Sequence, residues 1–281
     1  MKKEVAVIVG AGSIGLAIAR RIGNGRAVLL ADYSQKTLDA ASELFSGEGY
    51  DVATRVTDVS EPAAVAALAD AAAELGPVTQ VVHTAGVSPV QATTERVLQV
   101  DLLGTALVLE AFARVIAPGG AGVVIASMAG HMQGPYAPEI EHALANAETS
   151  ELLALPFLQA DQVGDSLAAY SLSKRANALR VRAQANIWGE RAGRVNSLSP
   201  GIILTPLARE EMSGPGAELY RSMIDNSAAK RVGTPDEVAE AAAFLLGRQA
   251  AFIIGSDLLM DGGVIAAMSA GRVSLPAPAA S

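Results

Sequence analysis

Short, wholly apolar runs alternate along this chain with longer segments whose apolar residues recur at helical spacing. Val5 to Val9 is the first run; a glycine turn follows, and then Ile14, Ala17, Ile18 and Ile22 mark one face of a helix. The same alternation predicts strands at Ala27–Ala31, Asp51–Val56, Val78–Val82, Gly122–Ala126 and Arg194–Leu198. Between them it predicts helices at Ser34–Phe45, with Ser34 as N-cap, at Ser60–Leu75 behind Ser-Glu-Pro, at Glu95–Ile116 as one or two pieces, and at Leu167–Trp188.

Strands this apolar need cover on both faces, and strand–helix repetition with right-handed crossovers gives it. The expected fold class is therefore α/β: a single-domain, Rossmann-type doubly wound parallel sheet with helices on both faces, over residues 1–263. Two segments fall outside the repeat. Residues 131–166 separate a strand from its helix by more than a loop needs and contain Leu152, Leu153, Leu155, Phe157 and Leu158. Residues 264–281 form a tail whose Pro-Ala-rich end is expected to be disordered.

Composition narrows the classes of function. Acidic residues outnumber basic ones 29 to 21, for a net charge of −8, and no basic cluster offers a phosphate-backbone footprint, so nucleic acid is not an expected partner. Cysteine is absent, which removes disulfide and thiolate chemistry and fits a reducing, cytoplasmic setting. Met1 to Arg21 imitates a secretory signal, but Glu4 and three glycines interrupt it, and no apolar run is long enough for a membrane span. His131 and His142 stand without a ligand motif, so no metal site is expected.

Gly10-x-Gly12-x-x-Gly15 lies directly between the first strand and first helix, where glycines let backbone N–H groups approach a pyrophosphate at a helix N-terminus. Asp32 ends the second strand, where a carboxylate binds ribose hydroxyls and repels a 2′-phosphate; this favours NAD over NADP, with nearby Lys36 the reservation. The rival reading of Ser13 as a hydrolase nucleophile lacks the first glycine of the elbow motif and its usual position after several strands. Further on, Tyr170 and Lys174 stand one helical turn apart, with Leu172, Ala176 and Leu179 on nearly the opposite side. By this spacing the pair faces away from the surface on which the helix packs.

In order and spacing, the glycine turn, Asp58-Val59, His83-Thr84-Ala85-Gly86, Ser127, Tyr170-x-x-x-Lys174, the Ser199–Pro206 segment and Gly255–Gly263 resemble the short-chain dehydrogenase/reductases. The resemblance implies hydride transfer between a nicotinamide cofactor and an alcohol or ketone. It implies Tyr170 as general acid/base, Lys174 as the cation that tunes it and binds the nicotinamide ribose, and Ser127 as the group orienting the substrate oxygen. Gly10, Gly12, Ser13, Ile14, Gly15, Asp32, Asp58, Val59, Ala85, Gly86, Pro200, Gly201, Ile203 and Thr205 fall at the family's cofactor-contacting positions, with Asp58 toward the adenine and Thr205 toward the nicotinamide.

The sequence departs from the family's pattern in four places. The phosphate loop is one residue short, with Ser13 near the middle glycine's place. His83-Thr84 replace two asparagines that help hold the central strands. Asp101 replaces the asparagine that is the family's fourth catalytic residue and holds a water relaying protons to the lysine. A carboxylate can hold the same water, and its charge raises the lysine's pKa; the alternative is a helix simply remodelled. Finally, Ser127 and Tyr170 are much further apart than in most members, as in the 3α-hydroxysteroid dehydrogenase/carbonyl reductase branch. The inserted leucines are expected to form a substrate lid, an interface segment or plain packing. An apolar secondary alcohol or ketone, hydroxysteroid-like or otherwise, is the expected substrate, and a homodimer or homotetramer the expected assembly. A cofactor-binding sensor or structural protein on the same fold is the alternative, and Asp101 is its only support.

Overall fold

The computed structural model describes residues 2–214 and 216–273; the Pro-Ala-rich end expected to be disordered lies outside the described residues. The first half of the chain runs β1 (Val5–Val9), α1 (Ser13–Ile22), β2 (Ala27–Asp32), α2 (Gln35–Gly47), β3 (Asp51–Val56), α3 (Pro62–Leu75), β4 (Val78–His83), α4 (Thr94–Val97), a π-helical turn (Leu98–Leu103), α5 (Gly104–Ala113) and β5 (Ile116–Ile125). The second half runs α6 (Pro138–Asn146), α7 (Ala160–Val163), α8 (Ser166–Gly189), β6 (Arg194–Pro200), α9 (Pro206–Glu211), α10 (Ala217–Asn226), α11 (Pro235–Leu246), β7 (Asp257–Met260) and α12 (Val264–Ser269). The strands form one parallel sheet in the order β3-β2-β1-β4-β5-β6-β7.

The period-two character of the strands explains the two cores. Val5, Val7 and Val9 of β1 face a layer made by α3, α5 and α8, through Leu68, Phe112, Val181 and Trp188. Ala6 and Ile8 face the other layer, made by α1, α2 and α11, through Ile18, Phe45 and Leu245. Local signals fix the ends: Ser34 Oγ accepts from Thr37 N–H at 3.2 Å, and α8 starts where the Asp165 carboxylate accepts from Ala168 N–H at 2.8 Å. The helical segment expected over Glu95–Ile116 in one or two pieces runs as α4 and α5, joined by the π-helical turn that contains Asp101 and ending at Ala113.

The orientation read for Tyr170 and Lys174 does not hold in the structure: Lys174 turns toward the sheet, and the Tyr170 ring packs in the same cluster as Leu172 and Ala176. Lys174, Val181 and Trp188 lie seven apart on one face of α8, and Val181 and Trp188 belong to the core under the sheet. The apolar stripe of Leu172 and Ala176 turns the other way. It packs against Leu144, Leu152 and Leu158 of the insertion and against Val97, Leu98 and Leu102. The spacing argument presumed a helix with one packed face; the insertion gives α8 a second. Arg180, 3% exposed, fastens the two together by donating to the carbonyls of Leu144 and Ala147 at 3.0 Å each.

Candidate active site

The strand order reverses between β1 and β4, so the carboxyl ends of these two strands open a crevice. Gly10 lies there with φ 105°, and a Cβ on it would stand 2.5 Å from Ala85 N, so this turn requires glycine. Thr84 Oγ1 donates to Gly10 O at 2.7 Å, and Ala85 N–H donates to Val9 O at 2.9 Å, which ties the end of β4 to the loop. Gly12 is the N-cap of α1 without a side-chain cap. Nothing stands within 4 Å of where its Cβ would be, and Ser13 beside it is exposed, while Ile14 is half-buried and Gly15 buried. An open, uncapped helix N-terminus fits a dinucleotide pyrophosphate.

Asp32 ends β2 beside this loop; its carboxylate accepts from Ala11 N–H at 2.9 Å and from Ser34 N–H at 3.0 Å. Asp58 follows β3 and accepts from Ser60 and from the Arg96 guanidinium at 2.9 Å. Burial would raise its pKa, but the bonds from Ser60 and Arg96 outweigh this and hold it below the usual carboxylate range. Val59 is buried beneath Gly104. Pro200 closes β6, Gly201 packs against Asp261, Ile203 is buried and bridges to Gly233, and Thr205 caps α9 by accepting from Ala208 N–H at 3.1 Å. The residues expected around a dinucleotide therefore lie along the carboxyl ends of β1, β2, β3, β4 and β6.

Lys174 and Asp101 form a buried ion pair, Nζ to Oδ1 at 2.8 Å, with side chains 6% and 1% exposed. The carboxylate expected to bring a negative charge near Lys174 is in direct contact with it. The other Asp101 oxygen accepts from Val87 N–H at 3.0 Å, and a Cβ on Gly86 would lie 2.6 Å from Oδ1. Gly86 is thus the residue that leaves room for the pair. Burial pushes the Lys174 pKa down, but the Asp101 carboxylate and the Tyr170 phenol together more than reverse this, and the ammonium is held above its ordinary value.

The Lys174 ammonium lies 5.2 Å from the centre of the Tyr170 ring. Burial raises the phenol's pKa; Lys174 pulls it down, Asp101 pushes it up, a hydrogen bond from Ser127 pulls it down, Glu211 pushes it up, and the net direction is upward. Ser127 itself caps the short 3₁₀ turn Met128–His131, accepting from Ala129 N–H at 3.1 Å. Tyr170, Lys174, Ser127 and Asp101 are therefore brought together from α8, the end of β5 and the π-helical turn.

The structure also supplies partners that pattern reading missed. Thr105 Oγ1 gives its proton to Asp101 O at 2.9 Å, so His83 must be the donor in the 3.0 Å Nε2–Oγ1 contact; burial and Lys174 keep the imidazole neutral, with a pKa lowered to about 3. His131 Nε2 meets Asp257 at 2.7 Å, and the same carboxylate accepts from Ser197 and Ser199, fastening the turn behind Ser127 to β6 and β7. Above Tyr170, Glu211 accepts from Ser88 Oγ at 2.6 Å and from Tyr220 Oη at 2.8 Å, while Glu210 accepts from Gln91 at 2.7 Å. Ser88–Glu211, Gln91–Glu210 and His131–Asp257 each join residues more than a hundred positions apart, so no local pattern announces them.

Among the described residues, no helix is long and apolar enough to cross a membrane, and no group of three or more His, Asp or Glu is placed to hold a metal ion. A family model described as short chain dehydrogenase matches residues 4–139, and one described as Enoyl-(Acyl carrier protein) reductase matches residues 137–265. Short-chain dehydrogenase/reductase bsc3 of Alternaria brassicicola is 41% identical over 96% of this chain and 98% of its own. Galactitol 2-dehydrogenase (L-tagatose-forming) of Cereibacter sphaeroides is 32% identical over 92% and 93% of the two chains. A solved 7α-hydroxysteroid dehydrogenase, complexed with NADH and 7-oxo glycochenodeoxycholic acid, is 25% identical with a TM-score of 0.71, over 92% of this chain and 93% of that one. With relatives aligned over nearly its whole length and a glycine turn, serine, tyrosine and lysine converging at the crevice, the chain belongs to the short-chain dehydrogenase/reductase family and is an NAD(P)-dependent dehydrogenase acting on CH–OH groups.

Proposed function

We propose that the protein is an NAD-dependent oxidoreductase that interconverts a secondary alcohol and its ketone, with Tyr170 as the proton-transferring residue. The observation that carries this reading is the convergence of the Tyr170 phenol, the Ser127 hydroxyl and the buried Lys174–Asp101 pair at the sheet's carboxyl end. The cofactor, when bound along Gly10, Gly12, Gly15 and Asp32, supplies the hydride acceptor or donor. Ser127 orients the substrate oxygen by hydrogen bond, and Tyr170 gives that oxygen a proton in ketone reduction or takes one in alcohol oxidation. Lys174 stabilises the phenolate and reaches the nicotinamide ribose, and Asp101 anchors Lys174. Because the phenol's pKa is raised, it is protonated at neutral pH. Reduction therefore works at neutral pH, and oxidation gains rate as the pH rises.

Asp32 supports NAD over NADP: two backbone N–H groups fix its carboxylate beside the glycine loop, where a 2′-phosphate would meet a like charge. Two apolar clusters support a substrate with an apolar body, hydroxysteroid-like among others. The Tyr170 ring packs on the insertion-bearing cluster, and the residue after Ser127, Met128, joins Met132, Met212, Met223, Ile202 and Leu219 in a second cluster whose thioethers can adapt to shape. Exposed Phe244, Phe252, Ile254 and Leu258, on α11 and around the edge strand β7, support a homodimer or homotetramer. The absence of cysteine supports a cytoplasmic setting.

Titration with NADH and NADPH, followed by an absorbance screen with secondary alcohols and steroids, tests the reading. Tighter NADH binding is expected, with turnover that Tyr170→Phe lowers by about 10²–10⁴-fold while NADH affinity holds. Preference for NADPH would remove the role given to Asp32. Tight binding with no turnover on the whole panel would favour the sensor.

A further inference from the structure

The mouth of the site carries a second carboxylate. Val87 and Ser88 follow Gly86 directly, so the loop that supplies a backbone donor to Asp101 also supplies the Ser88 hydroxyl that reaches Glu211. Ser88 is 4% exposed, so its end of this contact is buried, while Glu211 is half-buried. Tyr220, the other partner of Glu211, packs in the methionine-rich cluster that includes Met128, next in sequence to Ser127. Val87 packs in the cluster that includes Tyr170. Glu211 is therefore tied on one side to the loop that holds Asp101 and on the other to the cluster that contains Met128, next to Ser127. Its charge reaches the phenol, whose pKa it raises. A carboxylate has about four lone-pair sites, and Ser88 and Tyr220 use two, so the group can accept further donors from a ligand.

We infer that Glu211 determines specificity: it accepts a hydrogen bond from an uncharged donor group, a hydroxyl or amide, near the reacting carbon, and turns away substrates that carry an anionic group there. The inference rests on the dehydrogenase reading above and narrows its substrate class to neutral alcohols and ketones. The physics is a like-charge contact in a partly desolvated site, where two carboxylates a few ångströms apart repel by enough to change affinity about tenfold or more. Serine and tyrosine partners hold Glu211 in place without neutralising it. No cation approaches it within ion-pair distance among the described residues.

The test uses an isosteric pair, 3-hydroxybutanamide and 3-hydroxybutyrate, each measured as substrate and as competitive inhibitor of the best alcohol from the screen. The wild-type protein is expected to prefer the amide by about tenfold or more in kcat/KM or inhibition constant. Glu211→Gln keeps partners for Ser88 and Tyr220 and should bring that ratio toward one, mainly through better handling of the acid. Ser88→Ala breaks one bond of the bridge and leaves the charge, so the preference should persist in it even if overall KM rises. A wild-type protein that treats the pair alike or binds neither, or a Glu211→Gln protein with the preference unchanged, would overturn the inference. Loss of all alcohol turnover across the screen would instead overturn the dehydrogenase reading, so the two failures are distinct.

Discussion

The floor and the roof of the site are built from different materials. On the floor, Lys174 and Asp101 are almost wholly buried, and their surroundings are backbone: Val87 N–H on one carboxylate oxygen, a glycine against the other, and the π-helical turn carrying the aspartate. On the roof, Glu210 and Glu211 lie at the end of the six-residue helix α9 and touch the opposite wall through side chains alone. Methionines fill much of the space behind them. Groups that must hold a proton in one place are fixed by elements whose positions the sheet dictates. Groups that meet a substrate sit on short helices that can adjust, and the same chemistry can thus be kept while the choice of alcohol drifts.

The largest effect should come from breaking the floor. Asp101→Ala leaves a buried ammonium without its counter-charge and Val87 N–H without an acceptor, and should cost about 3–5 kcal/mol of stability, read as a fall in denaturation midpoint. The double variant Asp101→Leu with Lys174→Met removes both charges and should recover most of that loss while remaining inactive, because the pair's desolvation cost disappears with its attraction. If the single variant costs less than about 1 kcal/mol, the pair is hydrated and the floor no more fixed than a surface bridge.

A smaller and more diagnostic change is Asp101→Asn. Asp101 is one of the groups that raise the Tyr170 pKa, so removing its charge stabilises the phenolate and lowers that pKa. Alcohol oxidation needs the deprotonated phenol, and its rate rises as pH passes through this pKa. The rising limb in Asp101→Asn should therefore move to lower pH than in the wild type. Lys174 loses the anion that raises its own pKa against burial, so a limb displaced to higher pH would instead show that the lysine no longer holds its proton. An unmoved limb would show that the carboxylate acts on Lys174's position and not on the phenol's charge.

Legibility in the sequence divides along the same line. The sheet and its helices were readable because apolar runs and helical spacing are local signals; Gly10, Asp32 and Ser127 sit where strands end, and Tyr170 and Lys174 lie within α8. The orientation of α8 was not, since a helix covered on both sides hides which face carries the sheet, and only the insertion's packing through Leu152 and Leu158 decides it. Asp101 was singled out by position, but its direct grip on Lys174 depends on a π-helical turn that no sequence periodicity announces. Ser88–Glu211 and His131–Asp257 join residues far apart in the chain through single side-chain bonds, and such contacts exist only once the fold has brought them together.

The smallest effect should come from the roof's outer bond. Gln91 donates to Glu210 at 2.7 Å between exposed side chains, and an exposed hydrogen bond of this kind contributes little net stability. Gln91→Ala should leave the denaturation midpoint and kcat near wild type, because neither the buried pair nor the phenol is touched. What it loosens is the closure of α9 over bound substrate, so KM should rise by about two- to fivefold, the equivalent of roughly 0.5–1 kcal/mol. A tenfold fall in kcat or a drop in midpoint as large as that of Asp101→Ala would mean that α9 is part of the rigid frame. The contrast between floor and roof would then be one of exposure and not of mechanical role.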